Sequence, residues 1–136
     1  MEINIWGVLA AALLSMVLGF IWYGPLFGKK WMEIIGATGI NAEKRKEMQK
    51  GAQKLYAISF ALAFVQATVF DALIKSLPEV SSLNVAFISW LAFAVPIVAA
   101  GAMWNNDSSE VSRARFLINA GYYLVLFAIY GFILGM

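Results

Sequence analysis

The chain contains no cysteine and no histidine, and only 13% of its 136 residues are charged. The first two absences remove disulfides, thiolate zinc centres, cysteine-linked haem and imidazole acid–base chemistry from the inventory. No cofactor is implied, and catalysis is not expected, because the few Asp, Glu, Lys and Tyr residues do not converge in sequence. The scarcity of charge is more telling: 62% of the residues are hydrophobic, whereas soluble domains hold about half. A chain of 136 residues is also too short for two ordinary domains. A single integral membrane domain is therefore expected. The net charge of +2 is too small for a nucleic-acid footprint, so no nucleic-acid partner is expected.

Four apolar runs, at about 3–23, 55–76, 83–104 and 116–136, are each long enough to span a bilayer. The first run, at about 1.5 Å per residue, measures roughly 31 Å, close to the hydrocarbon thickness. Met1 and Glu2 lack the basic region that a cleaved signal peptide carries ahead of its apolar run. The third run tolerates Pro96 as a kink. The fold class is thus all-α, a four-helix transmembrane bundle.

Orientation follows from the basic residues. Lys29, Lys30, Lys44, Arg45, Lys46, Lys50 and Lys54 fall in the first loop and Arg113 with Arg115 in the third, against Lys75 alone on the other side. Basic loops stay in the cytoplasm. The expected location is the cell membrane, multi-pass, with both termini extracytoplasmic. Where the first span ends, Trp22 and Tyr23 suit the headgroup region, and Gly24 with Pro25 permits a turn into a new helix. Over about 25–36 the residues Phe27, Trp31, Ile34 and Ile35 recur with helical spacing opposite Lys29, Lys30 and Glu33, and Gly36 offers a stop. A short interfacial amphipathic helix results. Its lysines would meet anionic headgroups, each worth about 1 kcal/mol near a charged leaflet, and Trp104 anchors the third span in the same way.

These residues also carry a resemblance. Gly19, Trp22, Tyr23, Pro25, Phe27 (one place early), Gly28, Trp31 and Met32 resemble the signature of the bacterial membrane-protein family called domain of unknown function 1761. Trp104, Arg113 and the Ala120–Tyr122 segment extend the resemblance along the chain. It implies a short four-span membrane protein and no assigned activity.

The polar groups are few enough to weigh one by one. Asn41 can cap a charged stem, about 42–54, that leads into the second span. In "WNNDSSE", Asp107 and Glu110 have the spacing of a helix cap, and the segment lacks the further carboxylates and glycine of a calcium loop. Asp71 must be drawn inside the bilayer if the second span is to cross it, and Lys75, four residues on, is the expected local partner. Gln66, with Ser59 on its own face, and Asn119, with Tyr122 and Tyr123 one turn on, need hydrogen-bond partners and complete the candidate intramembrane polar site. Gly7, Ala11, Ser15 and Gly19 form a small-residue face at four-residue spacing, echoed by Gly131 and Gly135, which suits close helix contact. The expected function is a structural or interaction module that packs with itself, as a homo-oligomer, or with another membrane protein. The alternative is transport of a small solute, ion or proton past Asp71 and Gln66.

Overall fold

The computed structural model describes residues 2–136. Four helices are long and apolar enough to cross a bilayer: Ile5–Leu26, Ala52–Ser76, Ser82–Met103 and Ser109–Leu134. They are called spans one to four below. Two short helices, Gly28–Ile34 and Ala42–Lys50, lie between spans one and two, and no strand occurs among the described residues. The start of span one, the end of span four and the link between spans two and three share one end of the bundle, the terminal end; the opposite end is the loop-one end. Span four is the hub. It packs against every other span, span one lies against both two and four, and span three leans mainly on span four.

Polar side chains just outside the apolar runs set where the helices begin. The Asn4 side chain accepts from the Gly7 N–H at 3.1 Å, and Asn41 accepts from the Lys44 N–H at 2.9 Å. Ser81 and Ser108 do the same for Asn84 and Val111, both at 3.3 Å. Each satisfies one amide that the first helical turn leaves without a partner. At span four the capping residue is therefore Ser108, in place of the expected Asp107, which instead bonds Arg115 Nη2 at 3.0 Å. The stem is likewise not continuous with span two, because Gly51 separates Ala42–Lys50 from Ala52–Ser76.

Two wide turns interrupt the α-helical register, Trp22–Leu26 in span one and Trp90–Ala94 in span three. Each contains a proline or lies just ahead of one, Pro25 or Pro96. Proline supplies no amide and its ring collides with the carbonyl four residues back, so one extra residue in the turn opens the space that the ring requires. Span one consequently runs through Pro25, and the chain bends only at Phe27 (φ −119°, ψ 9°). The expected break at Gly24 and Pro25 is thus displaced, and the amphipathic helix starts at Gly28. It ends as expected at Gly36, whose φ of +73° favours glycine. There the Ala37 amide reaches back to the Met32 carbonyl at 2.9 Å and the Gly36 amide to that of Glu33 at 3.2 Å, the paired bonds of a glycine-terminated helix.

The small-residue faces are consumed inside the protomer. Ala11 and Ser15 are buried, a side chain at Gly7 would meet Leu134, and one at Gly19 would approach the Tyr122 hydroxyl. Gly131 abuts the backbone of Ser82 in span three. The core they frame comprises Val8, Ala11, Ala67, Phe70, Phe127 and Tyr130, with Leu134 above them, and it occupies the terminal half of the bundle. Phe70, Phe127 and Tyr130 are its aromatic centre, with ring centroids 4.8 Å apart between the first two and 5.3 Å between Phe70 and Tyr130.

Candidate functional site

Asp71 is 0% exposed, yet it has charged and polar company. Its Oδ2 accepts from Lys75 Nζ at 2.8 Å and from the Asn4 backbone N–H at 2.9 Å. Lys75 also donates to the Glu2 carbonyl. The carboxylate thus pins the segment that enters span one to the end of span two, a long-range link that the i, i+4 spacing alone did not suggest. With one oxygen committed twice and the lysine committed twice, this group is a knot rather than a stop along a path. Lys75 remains partly exposed and able to reach headgroups.

Trp22 and Tyr23 do not point outward to the headgroups as expected. Trp22 Nε1 donates to the Ile118 carbonyl at 2.9 Å, and the Tyr23 hydroxyl donates to Asn119 Oδ1 at 2.6 Å, both on span four. Trp90, from span three, donates to the Ala120 carbonyl at 2.8 Å. A helical carbonyl has a second lone pair, so these bonds cost span four none of its own register. Gly121 makes room for the indole, since a Cβ there would lie 3.0 Å from Trp22. Asn119 is therefore served across the bundle by Tyr23, and not by Tyr122 or Tyr123 one turn away. Trp31 packs against Tyr23 with ring centroids 4.9 Å apart and planes tilted by 59°, Lys30 pairs with Glu33 at 3.5 Å, and Lys29 stays exposed. Trp104, 87% exposed, is the one expected aromatic anchor that stands clear of the bundle.

Below the packed core, span two leans away. Apart from Phe60, its residues from Gln53 to Leu62 are exposed, and the space between it and spans one and four is a cleft of about 1050 Å³. All five tyrosines of the chain, Tyr23, Tyr56, Tyr122, Tyr123 and Tyr130, line this cleft. Ser15, Ser59 and Gln66 add polar atoms, Met16, Phe20, Leu62 and Leu126 add apolar wall, and no Asp, Glu, Lys or Arg contributes. Gln66 Oε1 accepts from the Tyr130 hydroxyl at 3.1 Å, which closes the inner end beneath Phe70 and Phe127. At the rim Phe20 is 74% and Leu62 65% exposed, so the opening between spans one and two faces the surroundings of the bundle.

A family model described as "Protein of unknown function (DUF1761)" matches residues 6–135. The chain belongs to that family. No curated protein and no solved structure matches it. The DUF1761 match takes in every residue that lines the cleft, and Asp71 with Lys75, but it begins after Glu2 and Asn4. Among the described residues of this DUF1761 protein, no group of three His, Cys, Asp or Glu could hold a metal ion.

Of the sequence candidates, the structure brings Gln66 and Tyr122 to the cleft, Asp71 and Lys75 to the knot, and Asn119 to the lock between spans one and four. Sequence reasoning did not foresee Tyr23, Tyr56, Tyr123 and Tyr130 as one group. A signal was present: Tyr56, Ser59, Ala63 and Gln66 recur at i, i+3, i+7 and i+10 along span two, and Tyr123 and Tyr130 lie seven apart on span four.

Proposed function

We propose that this DUF1761 protein is a membrane-embedded binding module, without catalysis, whose intramembrane cleft receives an uncharged molecule from the bilayer. The observation that carries this reading is the cleft itself: about 1050 Å³, lined by tyrosines, free of charged side chains and open between spans one and two. Its size is that of small-molecule sites, roughly 300–1,000 Å³ and mostly apolar with a few placed polar groups. Ion or proton transport is the weaker reading, because Asp71 is tied to Lys75 and Asn4 away from the cleft, and Phe70, Phe127 and Tyr130 fill the bundle above it. Association between copies has less support than the sequence alone offered, since the small-residue faces are occupied within the protomer.

Native mass spectrometry of protein extracted gently from membranes tests the reading. The wild type should carry a non-covalent small-molecule adduct, and Ser59→Trp, which fills the cleft from an exposed position of span two, should lose it at unchanged melting temperature. Absence of an adduct from the wild type, or the same adduct on both proteins, would overturn it.

The reading includes an orientation. Both termini lie outside the cytoplasm, and the basic loop with its amphipathic helix and stem lies inside, against anionic headgroups. Glu79 and Gln49 are exposed at opposite ends. An impermeant thiol reagent applied to intact cells should label Glu79→Cys and spare Gln49→Cys; the reverse pattern would invert the topology.

A further inference from the structure

We propose that the ligand of the cleft is a lipid-soluble quinone-class molecule: an uncharged flat ring with carbonyl oxygens on opposite edges and an apolar tail. This rests on the binding reading above and gives it a chemistry. Three features of the cleft converge on that class.

The first is charge. No cation lines the cleft, so a phosphate or carboxylate head would be desolvated with nothing to pair it, at a cost of several kcal/mol. No anion lines it either, which excludes ammonium ligands on the same ground. The second is the distribution of donors. The side-chain hydrogen bonds of the cleft residues are made by Ser15, Tyr23, Gln66 and Tyr130, which leaves the hydroxyls of Tyr56 and Ser59 on span two, and of Tyr122 and Tyr123 on span four, without a partner among the described residues. Gln66 uses its Oε1 on Tyr130 and so presents its amide N–H₂. Donors therefore stand on two different walls. A ligand with a single polar end, such as an alcohol, would satisfy one wall and leave the other dry; two acceptor oxygens across a ring can meet both.

The third feature is shape. Tyr23, Tyr122 and Tyr123 form an aromatic series along the cleft wall, with successive ring centroids 5.3 and 5.2 Å apart and planes inclined at 50° and 74°, and aromatic side chains gain most from a further ring that they can meet edge-to-face or offset-stacked. Met16, Phe20 and Leu62 then lead from the donors to the open rim, where an apolar tail can pass into lipid without crossing polar surface. Binding alone is inferred, and no electron transfer is assigned to the protein.

The test uses the full-length protein in lipid nanodiscs. A decyl-substituted benzoquinone is titrated against tryptophan fluorescence, beside decylbenzene and decanoate as probes with the same tail. The quinone should bind saturably and at least tenfold more tightly than either comparison probe. Tyr122→Phe and Tyr123→Phe have no hydroxyl bond within the protein to lose, so they should fold normally. Each should weaken the quinone by about threefold to tenfold, the worth of one neutral hydrogen bond, without affecting decylbenzene. Equal binding of quinone and decylbenzene, insensitive to both variants but blocked by Ser59→Trp, would overturn the quinone class and leave the binding module standing. If no probe binds saturably while the wild type keeps an adduct that Ser59→Trp removes, the quinone class falls alone. Without either signal, both readings fall.

Discussion

Lys75→Leu should be among the most damaging single substitutions in the protein, lowering stability by about 3–5 kcal/mol, the usual cost of leaving a buried charge without its partner. Asp71 is fully buried, and after the change its carboxylate would retain only the Asn4 amide. No other lysine or arginine side chain can take its place, since every other Lys and Arg belongs to the loop-one end. Asp71→Asn should cost much less, because an amide oxygen still accepts from the Asn4 N–H and the freed lysine can extend to headgroups. The double substitution should recover part of the loss, since no charge is then stranded, and that non-additivity is what thermal unfolding of the four proteins in one detergent would measure. Equal, additive losses would show that the two side chains do not act as a pair. If instead Asp71→Asn folded like the wild type but abolished a proton- or ion-coupled flux in proteoliposomes, while Lys75→Leu preserved it, Asp71 would be a transport residue.

The second large effect is expected where spans three and four touch. A Cβ on Gly131 would fall 2.9 Å from the Ser82 carbonyl oxygen and 3.1 Å from the Ala86 Cβ. The first of these is backbone and cannot rotate away, so even Gly131→Ala must push the two helices apart. Gly131→Leu adds three further carbons and should destabilise by about 3 kcal/mol or more, the upper part of the range for overpacked cores. Gly101 is the internal control. Nothing lies within 4 Å of its Cβ position, so Gly101→Ala should be neutral or gain up to about 1 kcal/mol from helix propensity. Comparable losses at both glycines, read from melting temperatures, would refute close approach as the reason for Gly131.

The spans were legible because their apolar runs are bounded by charge, and hydropathy reports what a bilayer selects. The end of a helix is a different matter. Span four starts at Ser109, well before the apolar run at 116, because its first two turns carry Arg113 and Arg115 and continue beyond the apolar stretch. Pro25 reads as a helix start by itself; the wide turn that absorbs it is a matter of hydrogen-bond register, to which no residue pattern of period 3.6 points. Trp22 and Tyr23 misled for a physical reason. An indole or phenol at the membrane boundary can seek headgroups or a buried acceptor, and the choice depends on Gly121 and Asn119, about a hundred residues away in sequence. The cleft was least legible, because it is set by the lean of span two, which depends on packing between helices and not on any one segment.

The wide turns at Trp22–Leu26 and Trp90–Ala94 also bear on how the chain can change length. Elsewhere in a membrane helix, losing one residue rotates everything beyond it by about 100° and turns the buried stripe toward lipid. Each wide turn already holds one residue more than an α-helical turn needs. Ala86, ahead of the second one, and Ala94, its last residue, are both buried at a separation of eight residues, which a regular helix would set about 80° apart. Deleting a residue there would restore ordinary geometry and leave Ala86 and Ala94 seven residues apart, within about 20° of two full turns, so that their shared face survives; the cost falls on Pro96, whose ring would then meet the carbonyl four residues back. These two segments are therefore the places within the spans where losing a residue would turn the least buried surface toward lipid, and the cost of such a loss is carried by the prolines.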